Sequence, residues 1–129
     1  MKNLKDIISE KLIINKNTKI EKYHYYPNTN YELWEIIQKL IGKYGDDADL
    51  NEIDTSKITD MAYLFSDSKF NGDISEWDVS NVKDMTGMFE HNKKFNGDIS
   101  KWDVSKVKFM KHMFDDSPLE KNPPKWYKN

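Results

Sequence analysis

Two kinds of apolar spacing alternate along the chain. Leu33, Trp34, Ile36, Ile37, Leu40 and Ile41 recur at three- and four-residue steps, which predicts an amphipathic helix over about residues 31–44. Thr29-Asn30-Tyr31-Glu32 ahead of it is a capping-box pattern, and Gly45 suits its end. Upstream, Leu4, Ile7, Ile8 and Leu12 predict a short helix, and Lys19 to Tyr26 alternates like a strand. Beyond residue 47 the apolar groups shorten and recur. Ile58, Met61, Leu64 and Phe65 form one set, Val82, Met85, Met88 and Phe89 a second, and Val107, Met110, Met113 and Phe114 a third, each at helix-like spacing. Between them, Asn71-Gly72 and Asn96-Gly97 are turn dipeptides whose residue types tolerate positive φ, and the alternation around Ile74 and Glu76 suits a brief strand.

These sets belong to an internal repeat. FNGDISEWDVSNVKDMTGMFEHNKK (70–94) and FNGDISKWDVSKVKFMKHMFDDSPL (95–119) agree at 15 of 25 positions without a gap. A more divergent copy precedes them, with Leu50, Ile53, Met61 and Phe65 aligned to Ile74, Trp77, Met85 and Phe89, and a partial copy follows, with Trp126 aligned to Trp102. A period of 24–25 residues predicts an α+β fold: a short leucine-rich-repeat-like solenoid of about three coils. Residues 1–47 would form a small helical and strand cap, and 48–129 the repeats, in one compact domain. Register then places Trp77 on Trp102, Phe65 on Phe89 on Phe114, and Met61 on Met85 on Met110. The final Pro-Pro-Lys-Trp-Tyr segment would end the stack, because proline has no N–H to offer a further ladder.

The repeated FNGDISxWDVSxVxxMxxMF, with its DLNEIDTSKITDM entry and PPKWY exit, resembles the BspA-like leucine-rich-repeat family, in its Mycoplasma-type surface-repeat branch. The resemblance covers about residues 48–127. It implies a small solenoid and, by family association, adhesion or protein binding at a cell surface, in bacteria, protists and mobile elements.

Composition bears on partners more than on fold. Twenty Lys, with no Arg, against 22 Asp and Glu leave a net charge of −2, which provides no general field for nucleic acid. Missing Arg also removes the bidentate fork that reads guanine edges and phosphates. With no Cys there is neither a disulfide nor a thiolate metal site. No long apolar run predicts membrane insertion, and no export signal precedes the repeats, so the chain as written reads as cytoplasmic.

Candidate chemistry is sparse. His24, His91 and His112 stand far apart in sequence, and no nucleophile, phosphate-loop or dinucleotide motif occurs, so no catalytic, cofactor-binding or metal residue is assigned and the protein reads as a non-enzyme. Two aspartate columns, Asp49/Asp73/Asp98 and Asp54/Asp78/Asp103, are favoured as turn acceptors, Ser following two residues after most of them, over a calcium ladder. Positions that vary between copies carry the binding signal, since stacking accounts for those that repeat. Lys83, Lys101, Lys106, Lys108, Phe109, Lys111 and His112 are the candidate surface, along which charge drifts from acidic to basic. Phe109 stands where the other copies have Asp60 and Asp84. It is either an exposed anchor or, as favoured, a residue packed on Pro123, Pro124 and Trp126. Tyr23, Tyr25, Tyr26, Tyr31, His24 and Trp34 form an aromatic cluster for which core packing is favoured over stacking on bases or sugars. These features predict a module that binds another macromolecule, most simply a protein. The alternative is a phage-borne or intracellular effector that inhibits a host protein by binding it.

Overall fold

A computed structural model describes residues 22–128. The helix expected at Leu4 to Leu12, and residues 19–21 of the expected strand, lie outside the described residues. Helix α1 spans Asn30–Tyr44. The Thr29 hydroxyl accepts from the Glu32 amide at 3.1 Å, closing a free donor of the first turn, and the Glu32 carboxylate accepts at 2.9 Å from the amide of Asn28, just ahead of the cap. At the other end Gly45 adopts φ 94° and donates to Ile41 O, a conformation that favours glycine. Leu33, Ile37 and Leu40 are buried against the repeats. The apolar face is narrower than expected: Trp34 is 46% exposed and lies over Tyr31, ring centroids 6.3 Å apart. The expected strand ending at Tyr26 reduces to a single parallel bridge, Tyr25 to Ile53, flanked by hydrogen bonds from His24 N to Glu52 O and from Asp54 N to Tyr25 O.

The α+β solenoid expectation is overturned. Among the described residues there are one α-helix, one 3-10 turn at Pro118–Glu120, four isolated bridges and no sheet; three strand-and-helix coils are not formed. Two causes account for this. Around Ile74, the Asp73 carboxylate captures the Ser75 amide and the Asp78 carboxylate the Ser80 amide, while Trp77 N turns back to Ile74 O. Donors taken by local side chains do not extend a ladder. Around the methionines, Tyr63, Asp67, Gly87, His91, His112 and Asp116 have φ between 57° and 61°. A left-handed residue every fourth position converts the helix-like spacing into consecutive turns, as in Leu64 N to Met61 O and Ser66 N to Tyr63 O.

Successive copies are nevertheless joined through these turns. Met61, Tyr63 and Phe65 donate their amides to the carbonyls of Asp84, Thr86 and Met88, each at 2.9 Å. Met85, Gly87 and Phe89 donate in the same way to Phe109, Lys111 and Met113. The ring neighbours read from the alignment are present. Phe65, Phe89 and Phe114 stack at 5.5 and 5.7 Å, and Trp77, Trp102 and Trp126 at 6.5 and 6.2 Å. Each indole N–H is satisfied by the copy before it: Trp77 donates to Leu50 O, Trp102 to Ile74 O and Trp126 to Ile99 O. Phe70 and Phe95 fill the space beside the phenylalanine column, at 4.6 Å from Phe65 and 4.4 Å from Phe89.

Gly72 corrects a detail of the sequence reading. Its φ is not positive; a Cβ there would stand 1.9 Å from Ala48 O, so close backbone approach, not turn geometry, requires glycine.

Candidate interaction surface

The aspartates set the turns that carry the surface. Asp49, Asp54, Asp73, Asp78, Asp98 and Asp103 each accept an amide two residues onward, at 2.9–3.0 Å. Side-chain hydrogen bonds, from Asn51 and Ser75 to Asp73, from Ser100 to Asp98 and from Ser105 to Asp103, hold these carboxyls below the usual carboxylate range. Serine and amide donors therefore stabilise the charges, as the turn reading requires. Among the described residues no three His, Asp or Glu side chains gather as a metal site.

A third aspartate column was not singled out as turn-forming in the sequence. Asp60 accepts from Ala62 N at 2.8 Å and Asp84 from Thr86 N at 2.9 Å. These residues are bridged to each other, and Asp84 to Phe109. Phe109 occupies the next place in that column without a carboxylate. It is 59% exposed, which corrects the expectation that it packs on Pro123, Pro124 and Trp126.

Lys83, Lys101, Lys106, Lys108, Lys111 and His112 are exposed as well. Main-chain hydrogen bonds from Lys108 N and Phe109 N to Lys83 O fix Lys83 beside that pair. Lys106 donates to the Asn81 side chain at 3.0 Å, and His112 pairs with Asp115 at 2.7 Å. Lys101 is the outlier: it sits on the preceding turn, where its charge bears on Asp98. The surface is thus Lys83 and the run Lys106–His112, with Lys101 at one side.

This run lies at an incompletely covered end of the core. Val79, Val82 and Met85 are buried, whereas their counterparts Val104, Val107 and Met110 are half-buried. Trp126 and Tyr127 cover the Trp102 and Phe114 part of that end, and the Lys128 amide meets the Met110 sulfur at 3.4 Å. The opposite end is acidic, with a shallow hollow of about 480 Å³ lined by Lys22, Tyr44, Asp49, Asn51, Glu52 and Glu76. Sequence reasoning had not found this hollow, because it joins residues on either side of α1. In the aromatic cluster, Tyr23 and Tyr25 are half-buried while Tyr26, Tyr31 and Trp34 are exposed, so core packing holds for only part of it.

Fold and surface define a turn-built repeat protein that offers a basic, partly apolar edge; no helix among the described residues is long and apolar enough to cross a membrane. The chain belongs to the family of Mycoplasma proteins of unknown function, DUF285, whose profile matches residues 35–128. No curated protein and no solved structure matches it.

Proposed function

We propose that this protein is a non-enzymatic binding module that holds another protein against the edge formed by Lys83, Lys106, Lys108, Phe109, Lys111 and His112, with Lys101 at its side. The observation that carries the reading is Phe109: a large exposed aromatic, among lysines, at a position where the preceding copies have Asp60 and Asp84. Exposed aromatics ringed by charge are the common anchors of protein interfaces. The likeness of the repeats to BspA-like surface proteins supports the same reading, and would make the interaction one of adhesion.

A photoreactive benzoylphenylalanine in place of Phe109 tests this in extract of the source cells. The expected result is a discrete protein adduct that disappears when Lys106, Lys108 and Lys111 are all changed to Glu. Adducts to nucleic acid alone, or adducts indifferent to the triple change, would contradict it.

A further inference from the structure

The amides of the last full repeat separate into closed and open donors. In the two earlier copies, Met61 and Tyr63, then Met85 and Gly87, give their N–H groups to carbonyls of the following copy. Met110 and His112 occupy the same places, yet their amides have no acceptor among the described residues. The Lys111 amide is open for a different reason. Its counterparts, Ala62 and Thr86, are closed by the Asp60 and Asp84 carboxylates, and Phe109 has none to give. Three consecutive backbone donors, 110 to 112, are therefore without an acceptor among the described residues, on the segment that carries the exposed Lys108 and Lys111 side chains. His112 is left-handed, with φ 61°, and successive amides around such a residue form a concavity suited to an anion.

The same edge already contains one such donor closed by a carboxylate. Asp67 N donates to Glu90 O, and His91 N to Asp115 O. The next amide in that series, Asp116 N, is taken by the side chain of Glu120. A carboxylate thus substitutes there for the missing carbonyl of a following copy.

We infer that residues 108–112 dock an extended acidic segment of a partner protein, its main-chain carbonyls accepting from Met110 and His112 and an Asp or Glu carboxylate accepting from Lys111. This rests on the binding-module reading and specifies its partner. Alternating donors select an extended backbone, as in strand addition to an open edge. The vacant carboxylate position, beside the Lys108 and Lys111 charges, selects acidic side chains.

The probe is a fluorescein-labelled octapeptide of alternating Asp and Val, with its Asn-Val counterpart as control, titrated into the full chain at low salt. Binding is expected for the Asp peptide only, with amide resonances of Met110, Lys111 and His112 shifting most. Phe109→Asp supplies the absent carboxylate and should weaken binding about tenfold, the scale of one charge-assisted hydrogen bond. Phe109→Ala, which leaves the donors open, should weaken it less. Equal binding to Phe109→Asp and wild type, shifts confined to other residues, or occupation of the edge by a second copy in sedimentation would each overturn the inference. If the crosslinked protein adduct persists while the peptide fails at this edge, the binding-module reading stands and only the acidic segment falls.

Discussion

A single buried amide side chain shows how little of the core is left to chance at the residue scale. Asn92 is 0% exposed; its amide nitrogen donates to Phe65 O and Phe70 O, and its oxygen accepts from Lys94 N and Phe95 N. The sequence did not single it out, since its counterparts are Ser68 and Ser117 and nothing in HNKK distinguishes a buried Asn from a solvated one. Asn92→Ala leaves main-chain groups of both joined copies unsatisfied and should destabilise the protein by about 1–3 kcal/mol, measurable by urea titration. A loss within error would mean that water replaces the side chain. On the surface, His91 is held protonated above its ordinary value by the Asp116 carboxylate, which Lys93 and His91 in turn hold below its own range. The stabilisation from the raised His91 is fully present below the imidazole's unfolded value and is lost as pH rises through the folded one. That from Asp116 is present above the carboxyl's unfolded value and fades as pH falls through its lowered one. An NMR titration should place the His91 pKa above that of a free imidazole, and Asp116→Asn should bring it down; an unchanged value would separate the two groups.

The elements were legible to different degrees. Helix α1 could be read, caps included, because its signals are local: Thr29, Glu32, Gly45 and an apolar face. Trp34 was misplaced on that face because a wide apolar stripe does not say where the neighbouring surface ends. Strands and helices in the repeats were misread for a common reason. Alternation at Ile74 and three-and-four spacing at Met85 describe which side chains point inward, and turns closed by Asp73, Asp78 and Asp84 satisfy both patterns. What the period did disclose was ring register, for Trp77, Trp102 and Trp126 align at 24- to 25-residue steps in the sequence and stack in the structure. Trp102 lies between two indoles and donates to Ile74 O, so Trp102→Ala should cost about 3–5 kcal/mol in equilibrium unfolding. A loss under about 1 kcal/mol would place that ring outside the core.

At the scale of the whole molecule, the two ends differ. The amino-terminal side of the repeats is closed by Leu33, Ile37 and Leu40 and by the Tyr25 bridge, and carries the acidic hollow. The carboxyl-terminal side is closed where Leu119, Trp126 and Tyr127 pack, and presents Phe109, the lysines and the Met110, Lys111 and His112 amides, which have no acceptor among the described residues. The drift of charge along the variable positions was visible in the sequence. The loss of a turn acceptor at Phe109 was not, because Asp60 and Asp84 had first to be found closing their turns. Amide hydrogen exchange tests this asymmetry most directly. The account predicts strong protection at Met61, Tyr63, Met85 and Gly87, and near open-chain exchange at Met110, Lys111 and His112. Equal protection across the seven amides would contradict it.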